Sequence, residues 1–364
     1  MQLQCIRVVT FRNLNAVQLS LGSGINVFMG DNAQGKTNFL EAASCLADGR
    51  SFRGARIADM IQHGTGNSVS EGTVLSDDRQ ITLKIQFRSF SRTYHVNNNV
   101  IGDLKEYVGH VHYVVFCAEA MNISAGEPKY RRDFLDKGVF SIMPRYVIAL
   151  RDYRKCLYQR NYLLRAAHPD KIHLNTWTEK LINSGSQIVE QRLKYLQKIQ
   201  PKASYFHGLI SSNREILSLH YQSDSCFKSL TREKIEEAMR QQFERVKDDE
   251  MRRKITLAGP HRDDLRIHIN DKDIRIFGSR GQKRTCVMAM KLAEMALFRD
   301  MRNEYPILIM DDVSSELDKR RQVSLMELIP NGVQVLMTVA GQSSLFDGDD
   351  NKVFIVQRGS VFEQ

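Results

Sequence analysis

The sequence is poor in the residues that staple or anchor a chain. Its six cysteines (Cys5, Cys45, Cys117, Cys156, Cys226 and Cys286) stand far apart and never form a Cys-x-x-Cys pair. That argues against a zinc site and a disulfide framework, and fits a reducing compartment. No stretch approaches the run of about 18 uncharged apolar residues that a membrane span needs. The first apolar residues are broken by Arg7 and Arg12, so no leader peptide is expected and the chain is read as cytoplasmic. Glycine is scarce in the middle: twelve of 22 lie in residues 1–126, and only Gly185 and Gly208 fall between 139 and 258. Histidine stops early, with none after His268. There is no internal repeat or low-complexity linker. What remains is ample: 364 residues, 42% hydrophobic and 26% charged, enough for a folded chain of about two domains.

The net charge of +10 is unevenly placed. Residues 127–258 hold 26 Lys and Arg against 16 Asp and Glu, and the rest of the chain is balanced at 26 of each. A basic segment between neutral ones points to a polyanion partner. The flanking segments read as strands. "ITLKIQF" alternates Ile81, Leu83, Ile85 and Phe87 with polar residues, and "RTYHVNNNV" reads as its partner entering an Asn-rich turn. "VHYVVF" is a more buried strand. The middle reads as helices, with Leu181, Ile182, Ile188, Val189, Leu193, Leu196 and Ile199 at helical spacing. Strand character returns after Gly259 with "DLRIHI", "PILIM", "VQVLMTV" and "KVFIV". The expected organisation is one α/β domain built from residues 1–126 and 255–364, with a basic helical lobe, 127–254, inserted in it.

Two motifs carry chemistry. "GDNAQGKT", Gly30 to Thr37, matches GxxxxGK[ST] between a short strand and a helix-compatible run. Gly30 and Gly35 let the backbone curl so that the amides of Asp31, Asn32, Ala33 and Gln34 line a phosphate cradle. Lys36 reaches the β- and γ-phosphates, and the Thr37 hydroxyl ligates magnesium. Nucleotide binding follows. Such a loop needs a partner carboxylate at the end of a hydrophobic strand, and "PILIMDD" supplies Asp311 as the metal partner. Asp312 is then placed to orient or deprotonate an attacking water.

"GSRGQ" (278–282) opens a further helix, and "SSELD" (314–318) follows the Asp strand. In that order these motifs resemble an ABC-type ATPase head. "FRN" at 11–13 resembles its SMC-like branch, and "PKYRRDFLD" (128–136) with "AGPHRDDL" (258–265) resembles the RecF family of bacterial recombinational-repair proteins. The resemblance covers nearly the whole chain. It implies an ATP-induced homodimer in which the signature motif of one subunit closes over ATP held with Mg2+ by the other. Ser279, Gly281 and Gln282 fall at the nucleotide-contacting positions, and Ser279, Arg280 and Asp318 at the dimer interface. It further implies binding of double-stranded DNA and single/double-strand junctions, and work with RecR and RecO to load RecA in replication and the SOS response.

The sequence departs from the wider ABC pattern. Gly278 and Arg280 replace the transporter Leu and Gly around the signature Ser. Asp312 stands where transporters carry Glu, one methylene longer, which suggests slow hydrolysis. No histidine is available for the usual switch, and "TVAGQSS" (338–344) occupies that region. Glu119, in "CAEAM", is the candidate for the glutamine-loop position. His261, Arg262, Asp263 and Asp264 form a polar cluster read as joining the two lobes.

The candidate DNA contacts are Lys129, Arg131, Arg132, Arg151, Arg154 and Lys155, with Arg160 and Arg165 beyond them. Arg151, Arg154 and Lys155 share one helix face by spacing. Tyr130, Tyr146, Tyr153, Tyr158 and Tyr162 interleave. Competing classes fit less: a transporter subunit lacks a reason for the basic insertion, a small-molecule kinase leaves "GSRGQ" without a task, and an SMC protein needs far longer coiled-coil arms.

Overall fold

The computed structural model describes residues 1–168, 170–225, 231–312, 319–340 and 351–364. In chain order the strands and helices are β1 (Gln2–Phe11), β2 (Leu14–Ser20), β3 (Ile25–Gly30), α1 (Lys36–Cys45), α2 (Ile57–Met60), β4 (Asn67–Ser76), β5 (Arg79–Arg88), β6 (Ser91–Val96), β7 (Asn99–Ile101), α3 (Leu104–Tyr107) and β8 (Tyr113–Phe116). There follow α4 (Asn122–Ala125), α5 (Pro128–Ile142), α6 (Tyr146–Leu164), α7 (Lys171–Ser211), β9 (Leu217–Gln222), α8 (Arg232–Arg253), β10 (Asp264–Ile269), β11 (Lys272–Asp273), α9 (Ile274–Phe277) and α10 (Arg280–Arg302). β12 (Ile307–Met310), a helix Lys319–Leu328, β13 (Val335–Ala340), β14 (Lys352–Gln357) and β15 (Ser360–Glu363) complete the described chain. No helix among the described residues is long and apolar enough to cross a membrane.

The chain divides into two compact units, the first made of Met1–Met121, Leu209–Ser211 and Arg284–Gln364. It holds two six-stranded sheets. One runs β2-β1-β4-β5-β6-β7 and is antiparallel throughout. Its β5 buries Leu83, Ile85 and Phe87 on one face, as the alternation predicts. Asn97 and Asn98 turn β6 into β7 with φ of 49° and 68°, the left-handed pair a two-residue hairpin requires. The other sheet runs β15-β14-β3-β13-β12-β8, with β14, β3, β13, β12 and β8 mutually parallel. Its inner strands read as continuous apolar runs because both faces are covered, and every residue of β12 is buried. Phe28 of β3 lies between Phe39 of α1, ring centroids 4.5 Å apart, and Phe354 of β14, at 5.0 Å. Buried Gln334 ties the sheets together: its Oε1 accepts from Leu3 N at 2.7 Å, and its Nε2 donates to Leu3 O and Gly22 O at 3.0 and 2.7 Å.

The second unit comprises Asn122–Gly208 and Ser212–Lys283. It is helical, as expected, but it also carries a three-stranded antiparallel sheet, β11-β10-β9. "DLRIHI" (β10) pairs with β9, Gln222 opposite Asp264, and so belongs to this unit, where the sequence suggested a strand of the head. Residues 255–283 therefore group with the preceding helices. The β9 strand itself was hidden inside a segment read as helical. Gln200 of α7 pins it, donating to Leu217 O at 3.1 Å and accepting from Leu219 N at 2.7 Å.

Three buried arginines bind the second unit together. Arg131 grips Asp264 through Nε and Nη2 at 2.7 and 3.0 Å. Arg192 grips Asp136 at 2.8 and 3.0 Å. Arg160 reaches Glu250 at 2.5 Å, Thr256 at 2.8 Å and Thr178 at 2.9 Å. These are two-pronged or multiply bonded pairs, the geometry that makes a buried ion pair tolerable. "PKYRRDFLD" and "AGPHRDDL" thus meet within one unit: Arg131 on Asp264, and Arg132 on the Asp263 carbonyl at 2.9 Å. Tyr221 donates to Asp263 at 2.6 Å, and Tyr153 bonds His261 at 2.5 Å. The polar cluster read as joining the lobes is internal to the second unit: Asp264 ties β10 to α5, and His261, ahead of the strand, bonds Tyr153 of α6.

Candidate nucleotide site

The loop Gly30–Thr37 joins β3 to α1 as the motif requires. Gly30 has φ 151°, and a Cβ there would lie 2.3 Å from the Val356 carbonyl oxygen of β14. Gly35 has φ 119°, with Asn13 Oδ1 3.0 Å from where its Cβ would be. Gly30 is thus dictated by close approach as well as by backbone, and Gly35 by its backbone conformation. Ala33 also adopts a left-handed φ of 65°, as loops that turn their amides inward do.

Two segments distant in sequence brace the loop. Gln34 accepts from Gly359 N at its carbonyl, 3.0 Å, and from Arg358 N at its side chain, 2.7 Å. Asn13, the last residue of "FRN", bonds the Ala33 carbonyl at 3.4 Å and accepts from Asn38 at 2.8 Å. Arg12 makes a two-pronged bond to buried Glu41 on α1, at 2.5 and 2.8 Å. Glu41 also accepts from Ser51. The hydrogen bond and charge of Glu41 hold the Arg12 pKa above its ordinary value.

Lys36 Nζ donates to the Gly30 and Asp31 carbonyls at 2.5 and 2.9 Å. Burial lowers its pKa, against the pull of Asp312, Asp31 and Asp311. Thr37 Oγ1 donates to Asp311 Oδ1 at 2.8 Å, joining the loop to the end of β12. The same carboxylate oxygen accepts from Thr338 Oγ1 of β13 at 3.0 Å, and the Thr338 hydroxyl oxygen accepts from Asp312 N at 2.8 Å. Burial raises the Asp311 pKa; the two threonine bonds pull it down, and the Glu119 and Asp312 charges push it up. Asp312 stands in the left-handed region at φ 49°, a conformation uncommon outside glycine that concentrates at functional sites.

The residues fit a magnesium nucleotide. A hydroxyl and a carboxylate already within hydrogen-bond distance are the hard oxygen donors that Mg2+ takes, and an added cation would favour the ionised form of Asp311. No group of three or more His, Cys, Asp or Glu side chains that could hold a metal occurs among the described residues. Magnesium bound partly through phosphate oxygens needs none.

The sequence missed Thr338. It stands at the carboxyl end of the strand beside β12, where open α/β sheets place their ligands, so its position was the available signal. Glu119 lies just after β8, the strand beside β12 on the other side, and pairs with Arg53 at 3.7 Å.

At "GSRGQ" the chain forms a reciprocal helix cap. Ser279 N donates to Gln282 Oε1 at 2.8 Å, and Gln282 N donates to Ser279 Oγ at 3.2 Å. This is the Ser-x-x-Gln capping box, which satisfies two of the orphan donors at the start of α10. Ser279 and Arg280 are exposed, and Gly281 is half-buried. Lys283 donates to the Arg275 carbonyl at 3.2 Å. Gly278 is fixed by the Ile274 carbonyl, 2.5 Å from where its Cβ would be. Asp318, with all of "SSELD", lies outside the described residues, as do residues 341–344 of "TVAGQSS".

The basic candidates divide. Lys129, Arg151, Arg154 and Lys155 are exposed, as is Arg165; Arg132 is half-buried. Arg131 is wholly buried and Arg160 nearly so. The reading of these two as DNA contacts is corrected: each spends its guanidinium on an interior carboxylate and has no surface to offer a phosphate. Among the tyrosines, Tyr158 and Tyr162 are exposed while Tyr146 and Tyr153 are core residues.

A strand–loop–helix braced against the carboxyl end of a parallel sheet, with an aspartate from a nearby strand on the loop threonine, defines an α/β P-loop ATPase head of the ABC type. The RecF/RecN/SMC N terminal domain family matches residues 2–360. The chain is similar to the DNA replication and repair protein RecF of Pediococcus pentosaceus, 35% identical over 100% of this chain and 99% of the relative. It is 37% identical to that of Oceanobacillus iheyensis over 93% of each. Its fold is similar to solved structures of the recombination mediator protein RecF in the RecFOR pathway. The RecF-ATPrS form has TM-score 0.92 at 32% identity, covering 100% of this chain and 98% of that one. The RecF-ATP form has TM-score 0.90 at 32% identity, covering 100% and 97%. An SMC head bound to the C-winged helix domain of ScpA, at TM-score 0.58 and 14% identity over 100% and 98%, shares the fold. The chain belongs to the RecF family of SMC-like ATPases.

Proposed function

We propose that this protein is an ATP-gated DNA-binding dimer of recombinational repair. The observation that carries the reading is the Thr37–Asp311 bond, which joins the phosphate loop to the sheet carboxylate. Lys36 exchanges the Gly30 and Asp31 carbonyls for the β- and γ-phosphates, and the loop amides take the remaining phosphate oxygens. Thr37 and Asp311 hold Mg2+, which neutralises charge on the transferring phosphate. Asp312 orients or deprotonates the attacking water. Ser279, Gly281 and Gln282 meet the ATP of a second copy, and Ser279, Arg280 and Asp318 take part in the dimer interface. Hydrolysis is slow, below roughly 10 per second, and resets the dimer.

The test is sizing with and without ATP and duplex DNA. ATP is expected to convert monomer to dimer, and Ser279→Arg to bind ATP yet remain monomeric. A Ser279→Arg protein that dimerises normally would refute the cross-subunit role.

The exposed side chains of Lys129 on α5 and of Arg151, Arg154 and Lys155 on one face of α6 contact the phosphates of double-stranded DNA and of single/double-strand junctions, independently of sequence. In the RecFOR pathway the protein works with RecR and RecO toward RecA loading. Replacing Arg151, Arg154 and Lys155 together by Ala should weaken duplex binding and flatten the plot of log K against log salt by about 0.9 for each phosphate no longer neutralised. An unchanged slope would remove this face from the DNA site.

A further inference from the structure

A line of hydrogen bonds runs through the second unit and ends at Ser279. His207, on α7, is fully buried. Its Nε2 lies 3.1 Å from Glu215 Oε2, and its Nδ1 has no partner. Glu215 Oε1 accepts from Gln282 Nε2 at 2.8 Å. Gln282 Oε1 in turn accepts the Ser279 N–H at 2.8 Å, closing the capping box.

Each link sets the direction of the next. An ionised carboxylate can only accept, whereas a carboxamide has one accepting and one donating end. Glu215 therefore holds the Gln282 NH2 group and leaves the amide oxygen turned toward Ser279. Reversed, the amide would put oxygen against carboxylate and NH2 against N–H, two repelling pairs. Glu215 is itself aimed by His207, whose ring donates from Nε2. Burial lowers the His207 pKa, with Glu215 opposing, which keeps the ring neutral and spares it a buried Nδ1–H without an acceptor. The capping box alone sets the helix end; the carboxylate fixes which way its glutamine faces.

We infer that Glu215 is a positioning residue for the signature motif: by turning the Gln282 side-chain oxygen to the Ser279 main-chain N–H it holds Ser279 where its hydroxyl oxygen accepts from the Gln282 main-chain N–H and its hydroxyl hydrogen is available to a phosphate oxygen. This rests on the cross-subunit role proposed above for Ser279.

The test compares Glu215→Ala, Gln282→Glu, the exchanged pair Glu215→Gln with Gln282→Glu, and Ser279→Arg in the full-length protein. Turnover at saturating ATP, ATP-induced dimerisation and the ATP affinity of the monomer are measured for each. Glu215→Ala should lower turnover and dimerisation about tenfold, the worth of one hydrogen bond to a charged group, with the monomer's ATP affinity unchanged. Gln282→Glu should lower them at least as far, because two carboxylates then face each other. The exchanged pair should recover most of the loss. In it His207 donates to the oxygen of the new amide, the NH2 group of that amide donates to the new carboxylate on α10, and Ser279 N–H donates to the second oxygen of that carboxylate. Two results overturn the inference: Glu215→Ala behaving as the parent while Ser279→Arg fails, or the exchanged pair remaining as impaired as Glu215→Ala with an unchanged melting temperature. If Ser279→Arg is also silent, the cross-subunit role falls and takes this inference with it.

Discussion

Asp312→Asn is expected to bind ATP like the parent protein and to hydrolyse it about 10²–10⁴-fold more slowly, the usual contribution of a positioned general base. The substitution is isosteric, so the left-handed backbone at this position, where Asn is also tolerated, survives. The Asp312 N–H bond to Thr338 comes from the main chain and survives too. What is lost is the negative charge of the side chain, which also acts on Lys36 and Asp311, and with it the capacity to take a proton from water. Phosphate release under single-turnover conditions and sizing with ATP give the readout: the nucleotide-bound dimer should persist where the parent's decays. Turnover within tenfold of the parent would move the base elsewhere, and Glu119, whose charge acts on Asp311, would be the next residue to test.

Arg131→Ala should destabilise the protein by about 3 kcal/mol, the low end for breaking a buried ion pair, because it takes away the two-pronged partner of buried Asp264 and leaves Arg275, at 3.5 Å, to face that charge. Asp264 would lose both bonds from the guanidinium, and the Gly126 carbonyl a third, at 2.7 Å. Arg151→Ala, on an exposed side chain, should stay within about 0.5 kcal/mol of the parent. Denaturant unfolding of the two variants side by side separates interior arginines from surface ones. An Arg131→Ala protein as stable as the parent but defective on DNA would restore this residue to the DNA face.

Those two arginines mark where the sequence was legible and where it was not. The phosphate loop could be read directly because its function is a local backbone path, written in the spacing of Gly30, Gly35, Lys36 and Thr37. Asp311 could be read because a short apolar strand announces its own end. Arg131 and Arg151 look alike in a charge map. What distinguishes them is Asp264, far along the chain and brought near by the sheet β9–β10–β11. That sheet was itself illegible for the same reason: β9 is short, lies among helices, and finds its partner only across the length of α8. The Ser-x-x-Gln spacing of Ser279 and Gln282 was not read as a helix cap, and the reading of these residues as nucleotide contacts stands as a proposal beside that structural task. Thr338 opens the segment "TVAGQSS" that stood in the switch region without a role, because position alone did not show its bonds to Asp311 and Asp312.

The strand that carries the phosphate loop has both its sheet neighbours, β13 and β14, from residues 335–357. Gln34 is likewise held by residues 358 and 359. On a ribosome, therefore, β3 stays without its sheet neighbours until residues 335–357 have been added. The antiparallel sheet of residues 2–101 and the second unit draw on residues already synthesised by then, whereas a fully braced phosphate loop must wait for β13 and β14. Nucleotide competence in this sense comes well after the motif that carries it has been translated.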